Sequence, residues 1–182
     1  NYNNAYWAFR NIEIWQGGRD APPIQNSTKT GYYLKKYLNP NVKIGSGENV
    51  IQRHTFYIFR LGEMYLNYAE AMNEAFGPEA DPEGFGMTAL EAVNTIRTRA
   101  EMPNFPNGLS KEDFRNKLIN ERRVELAFEN HRFWDVRRWE IANEVLNQDL
   151  IGITVVKVGD NQFDYTRKIV ETRRFDERMY LY

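Results

Sequence analysis

FRLGEMYLNYAEAMNEAFGP, residues 59–78, is the stretch on which the fold turns. Within it Leu61, Met64, Tyr65, Tyr68, Met72 and Ala75 recur at spacings of three and four, the apolar period of an amphipathic helix. Gly77-Pro78 stops the run. A helix starting near Phe59 is therefore expected, with an apolar stripe that needs a partner.

Downstream, Thr88 with Glu91 three residues later is a capping box, and Leu90, Val93, Ile96 and Ala100 supply the stripe of a second helix, closed by Pro103 and Pro106. Ser110 with Asp113 starts a third, running through Phe114, Leu118 and Leu126 to about Glu129. A fourth is expected over residues 133–146. After Leu150 the pattern changes to strand. Ile153-Thr154-Val155-Val156 and Tyr165 to Val170 flank Gly159-Asp160-Asn161, which reads as a hairpin. Upstream, residues 1–50 are broken by Gly17-Gly18, Pro22-Pro23, Pro40 and Gly45 to Gly47, so mostly loop is expected. The fold class that follows is mainly α. Antiparallel helix pairs of the tetratricopeptide kind are joined by long irregular loops, with a small β-hairpin near the C-terminus; the linker from Gly77 to Met87 is longer than that repeat allows. One domain over 1–182 is expected, divided into a loop-rich segment (1–52), a helical scaffold (53–147) and a hairpin with a tail (148–182).

The charges nearly cancel, 24 basic against 25 acidic, so no field strong enough to gather nucleic acid or an anionic membrane surface is expected. The chain has no cysteine, which excludes disulfides and thiolate chemistry. No apolar run reaches the ~18 residues that cross a bilayer. Asn1-Tyr2-Asn3-Asn4 is neither a start nor a signal sequence, and Met179-Tyr180-Leu181-Tyr182 ends the chain on apolar and aromatic groups. The chain is expected to be a piece of a longer one.

Glu121-Arg122-Arg123-Val124-Glu125-Leu126-Ala127-Phe128-Glu129 leads into Arg132-Phe133-Trp134-Asp135-Val136-Arg137-Arg138-Trp139, with acids and arginines packed among large apolar groups. On a helix, Glu129, Arg132, Asp135 and Arg138 alternate in sign at spacings of three. The stripe Phe114, Leu118, Glu121, Glu125, Phe128 and Arg132 puts two carboxylates on an apolar face. Carboxylates placed there need arginines, because an unpaired buried charge costs several kcal/mol; Arg97, Arg99, Arg122 and Arg123 are the candidates. An internal network of Arg97, Glu121, Arg122, Glu125, Glu129, Arg132, Asp135 and Arg138 is expected.

Three blocks carry a resemblance: Arg60-Leu61-Gly62-Glu63-Met64-Tyr65-Leu66-Asn67-Tyr68-Ala69-Glu70-Ala71, then Ala92-Val93-Asn94-Thr95-Ile96-Arg97-Thr98-Arg99-Ala100, then Glu121-Arg122-Arg123 through Trp139. In order and spacing they resemble the C-terminal part of the SusD/RagB family, and Thr30-Gly31-Tyr32-Tyr33-Leu34-Lys35-Lys36 and Tyr180-Leu181 fit the same pattern. The resemblance implies a largely helical, non-catalytic protein that captures oligosaccharides or other nutrients. It also implies a lipid anchor on the cell-surface side of the outer membrane, outside this stretch, and a TonB-dependent transporter as partner. The matching motifs are scaffold, so no ligand contact is carried over from them.

Glu121 and Glu125, with Asp135, have a spacing that would permit the two-carboxylate chemistry of glycoside hydrolysis. The arginines within helical reach favour structural ion pairs by about ten to one. His54 and His131 are too far apart for a local metal pair, and Gly45-Ser46-Gly47 is an ordinary turn. No catalytic residue, metal set or cofactor is expected. For binding, Trp7, Trp15 and Tyr32, with Tyr33 beside them, lie in loops among Asn, Gln, Arg19 and Asp20, a mixture that stacks on a sugar's C–H face and bonds its hydroxyls. Core packing is the competing reading for each. Phe128, Phe133, Trp134 and Trp139 interleave with arginines four residues away, so internal cation–π packing is expected of them.

Overall fold

The structure is a computed structural model, and it describes residues 12–39, 41–42, 49–53, 55 and 57–180. Trp7, His54 and Gly45-Ser46-Gly47 lie outside the described residues. The chain forms two compact units, one from residues 1–55 with 136–182 and the other from residues 56–135. The described residues contain five helices and one two-stranded antiparallel sheet, so the protein is mainly helical with a hairpin near the C-terminus.

In the helical unit, α1 (Leu61–Phe76) packs against both α2 (Ala89–Arg99) and α3 (Lys111–Glu125). The buried side of α1 is Glu63, Leu66, Ala69, Met72 and Asn73. That face is rotated from the stripe read in the sequence, because Leu61 is 68% exposed and Met64 is also largely exposed. Two polar groups explain the rotation. Asn73 is fully buried and its amide donates to the Lys111 carbonyl (3.1 Å), while Glu63 faces His131 (3.6 Å, too long for a hydrogen bond). A tertiary partner thus brings Asn73 inward where a count of apolar residues places it outward. Tyr68, flanking the buried side, donates to the Met87 carbonyl (2.5 Å) and fastens the loop that precedes α2.

The capping box forms as read. Thr88 Oγ1 accepts from the Glu91 amide (3.2 Å) and the Glu91 carboxylate accepts from the Thr88 amide (2.8 Å). That backbone hydrogen bond holds the Glu91 carboxyl below its ordinary range. A depressed native value means the Glu91 half of the box is present above the unfolded carboxylate's range and is lost as pH falls through the native value. Thr88→Ala is expected to destabilise the protein by about 1 kcal/mol in urea unfolding at neutral pH. An unchanged midpoint would show that the cap contributes nothing.

Leu90, Val93 and Ile96 of α2 are buried against Leu66, Ala69 and Met72 of α1 and Phe114 and Leu118 of α3. Each fully buried aliphatic side chain of this size contributes roughly 1.5–3 kcal/mol relative to exposure. Ala100, expected on that stripe, is exposed because α2 has already ended. Glu101 takes a left-handed backbone (φ 55°), and the Met102 amide bonds the Arg97 carbonyl while the Glu101 amide bonds Thr98. This is a Schellman closure carried by a residue other than glycine. Asn94 then holds the following loop by pairing with both the amide and the carbonyl of Phe105 (2.8 and 3.4 Å).

Ser110 caps α3, accepting from the Asp113 amide (3.0 Å) and donating to the Asp113 carboxylate (2.6 Å). The helix stops at Glu125, four residues short of the expected end. Phe128 is left-handed (φ 64°) and 67% exposed, so it is not part of the helical stripe assigned to it. The expected fourth helix is two, α4 (His131–Arg138) and α5 (Ala142–Leu146). A second Schellman closure separates them: Glu140 has φ 57°, Ile141 donates to Val136, and Glu140 donates to Arg137.

In the other unit, Val136, Ala142 and Phe175 form a small core with Ile141, Val145, Leu146 and Tyr180 packed against it. Phe175 meets Tyr180 edge-on and lies under the Arg137 guanidinium, 5.5 Å from the ring centroid. The hairpin pairs β1 (Asp149–Gly159) with β2 (Gln162–Thr172) around Asp160-Asn161, with irregularities at Leu150/Ile151 and Lys157/Gly159. Between those points the register is continuous, from Ile151 opposite Ile169 to Lys157 opposite Phe163.

Candidate functional site

Two arrangements of side chains stand out, one in each unit. In the helical unit Arg60, the N-cap of α1, spans two carboxylates from the far end of α3 and the turn beyond it. Its Nη1 donates to Glu125 (2.6 Å), its Nε donates to Glu129 (2.7 Å) and its Nη2 donates to the Glu125 carbonyl (2.6 Å). Burial pulls the Arg60 guanidinium down, and the hydrogen bonds and charges of Glu129 and Glu125 outweigh it, leaving the group raised. Arg99 adds a second contact to Glu125 (2.8 Å) from a largely exposed position. Arg97 pairs with Glu121, bonds the Pro103 carbonyl (2.6 Å), and stacks over Phe105, 4.7 Å from the ring centroid. Arg122 reaches Asp135 through two bonds of 3.2 Å and Asn67 at 2.6 Å.

Arg97, Glu121, Arg122, Glu125, Glu129 and Asp135 are thus brought into ion pairs. Arg132 and Arg138 are placed differently from the ladder read in the sequence. Glu129 precedes α4 and takes Arg60 as a partner; the Arg132 Nη1 is buried without a hydrogen bond. Burial, with Arg123 nearby, lowers the Arg132 guanidinium against the opposing pull of Asp135. Arg138 lies over the ring of Trp139 at 4.4 Å, and Trp134, 59% exposed, packs edge-on against Phe133 at 5.0 Å. Arg123 bonds Asn120 and is exposed. Arg60 was missed by reading the charged block alone. Its signal was present, because a cation at a helix N-terminus opposes the helix dipole and needs a compensating partner elsewhere.

The second arrangement is built on β1. The turn after Trp15 is tight: Gly18 donates to the Trp15 carbonyl (2.7 Å), and a Cβ on Gly18 would lie 2.5 Å from the Glu13 carbonyl oxygen. Asp20 is buried and accepts from the Glu13 amide (2.9 Å), while Arg19 pairs with the Glu13 carboxylate (2.5 Å). This fixed turn lays Trp15 against the edge of β1, where Gln16 donates to the Val155 carbonyl (2.8 Å) and Trp15 forms a parallel bridge with Val155. The half-buried indole rests on Phe163, with ring centroids 5.4 Å apart, and the Lys157 ammonium stands 5.7 Å from its ring.

Further along the same edge, Ile153 donates to the Thr30 carbonyl (2.7 Å). Gly31 (φ 79°) comes so close there that a Cβ would sit 2.5 Å from the Ile153 carbonyl oxygen. Tyr32 follows, 60% exposed, and Tyr33 donates to the Asp20 carbonyl (2.6 Å). Trp15 and the Thr30-Gly31-Tyr32 segment therefore meet one strand two residues apart, at Val155 and Ile153. Phe163 and Lys157 were not read as site residues; their signal was the strand alternation that points every second residue to one face.

These observations describe a mainly helical protein in which arginines brace one unit and a hairpin fixes aromatic loops in the other. The SusD family profile matches residues 2–182, and the chain belongs to the SusD family. It is similar to SusD-like protein P2 of Formosa agariphila, 35% identical over 108 residues, covering 55% of this chain and 20% of that protein. It is also similar to SusD-like protein P38 of the same organism, 33% identical over 135 residues, covering 69% of this chain and 24% of that protein. The crystal structure of a SusD-like protein from Bacteroides fragilis NCTC 9343 matches 97% of this chain at a TM-score of 0.70 and 28% identity. The match covers 34% of that protein, so the chain spans only about a third of the solved relative and a smaller share of the curated ones.

Proposed function

We propose that this chain is part of a cell-surface nutrient-binding protein that captures a glycan without transforming it and hands it to a TonB-dependent transporter in the outer membrane. A lipid anchor outside this stretch would hold it there. The observation that carries the reading is the Trp15 platform: a half-buried indole fixed at a strand edge with an ammonium beside its ring, and an exposed Tyr32 in the segment that meets the same edge. Such a surface offers a flat apolar face for sugar C–H groups and polar edges for hydroxyls. The carboxylates that would serve a glycosidase support the same reading, since Glu121 and Glu125 are each engaged by arginines. Among the described residues, no helix is long and apolar enough to cross a membrane.

Trp15→Ala is expected to weaken oligosaccharide binding at least about tenfold by calorimetry, as for an aromatic anchor at a contact centre. Phe85→Ala, an exposed aromatic of the helical unit, serves as the control and is expected to leave affinity unchanged. Unchanged affinity in Trp15→Ala would remove the loop site. The second reading, a scaffold that binds only protein, draws on exposed apolar side chains of the helical unit such as Leu61, Phe133 and Trp134. It wins if the protein retains the transporter and binds no member of a glycan panel.

A further inference from the structure

We infer that one face of the β-hairpin extends the Trp15 platform into a subsite for an acidic sugar, with Arg167 gripping the carboxylate of a uronic acid residue. This rests on the glycan-binding reading of Trp15 and names the class of glycan. The uninterrupted register from Ile151–Ile169 to Lys157–Phe163 decides which residues share a face. Phe163, Tyr165, Arg167 and Ile169 of β2 face the same way as Lys157, Val155, Ile153 and Ile151 of β1. At one end Trp15 rests on Phe163 and bridges Val155 through the backbone. Beyond it Tyr165 is 65% exposed, and Arg167 is exposed and has no salt bridge or side-chain hydrogen bond among the described residues. Phe163 to Arg167 spans about 13 Å at the strand rise, room for a short oligosaccharide.

Charge selects the occupant. No acid lies among the eight paired residues of this face, whereas Asp164 points to the opposite one. Lys157 shares Asp160 at 3.9 Å in the turn, so Arg167 is the cation left for a ligand. The same sign holds for the larger unit. Residues 1–55 and 136–182 carry 15 Lys and Arg against 11 Asp and Glu, a formal +4, and residues 56–135 carry 9 against 14, a formal −5. A planar guanidinium pairs with a carboxylate through two parallel bonds. A uronic acid presents that carboxylate on a ring whose C–H face stacks on Trp15 or Tyr165.

The test compares oligogalacturonate with its methyl ester, which keeps the sugar backbone and removes the charge. The protein is expected to bind the free acid about tenfold more tightly than the ester at low salt. Arg167→Gln is expected to bring that ratio close to one, and added salt to erode it. Equal binding of acid and ester, no binding of the acid, or a ratio retained in Arg167→Gln would each overturn the acidic-sugar assignment. The two levels fail differently. If neutral glycans bind and depend on Trp15 while the acid gains nothing, the platform survives and the Arg167 subsite does not. If Trp15→Ala leaves every glycan's affinity intact, the platform itself is wrong.

Discussion

Replacing Arg122 with methionine is expected to destabilise the protein by about 3–5 kcal/mol, because it strips a buried carboxylate of its guanidinium partner. Arg122 is 3% and Asp135 4% exposed, and both guanidinium contacts to Asp135 are 3.2 Å. Two charges out of water are tolerated while they are paired; removing Arg122 takes both 3.2 Å bonds from Asp135 and leaves its desolvation less compensated. The Asn67 side-chain oxygen loses its 2.6 Å donor in the same step. Adding Asp135→Leu to Arg122→Met is expected to recover most of the loss, since an apolar pair of similar volume carries no such penalty. Urea unfolding followed by circular dichroism reads both. A single variant as stable as the parent would mean that Asp135 does not rely on Arg122. Exposure marks the contrast: Arg99→Ala is expected to change stability by less than about 1 kcal/mol, because that side chain sits largely in water.

Phe114→Ala should lower stability by a similar amount, about 3–5 kcal/mol. Phe114 is fully buried in the core shared by α1, α2 and α3, and its ring meets Phe105 edge-on at 6.0 Å. Truncation therefore opens a cavity and removes the support beneath Phe105. Phe105 also carries the Arg97 guanidinium, which in turn holds Glu121. The damage should spread from packing into the ion pairs, so Phe114→Ala and Glu121→Gln are expected to be non-additive in a double-mutant cycle. Phe114→Leu should lose less, and Phe128→Ala, at an exposed position, should stay within about 0.5 kcal/mol. Strict additivity would show that core and ion pairs are independent.

What could be read from the sequence was what short-range chemistry determines. Thr88 and Glu91, Ser110 and Asp113, and the breaks at Gly77-Pro78 and Asp160-Asn161 act over a few residues, and each leaves a local mark. The phase of α1 could not be read that way, since the inward turn of Asn73 depends on the Lys111 carbonyl, 38 positions later. Nor could the end of α3, where Phe128 adopts a left-handed backbone against its ordinary preference. In the candidate site the aromatic loop residues could be named from composition. Their placement against Val155 and Ile153 rests on backbone hydrogen bonds between distant segments, which no periodicity encodes.

Those distant bonds also bear on how the protein is made. Trp15 leaves the ribosome long before Val155, and at about 5–20 residues per second the interval between them lasts roughly 7–28 seconds. Residues 56–135 emerge within that interval, so α1, α2 and α3 are all available before either strand of the hairpin. The aromatic platform thus assembles only after the residues of α1, α2 and α3 have been made, by closing a very long loop whose entropy opposes it. A chain stalled or cut before β2 would contain all of α1, α2 and α3 and lack the strand on which the Trp15 ring rests.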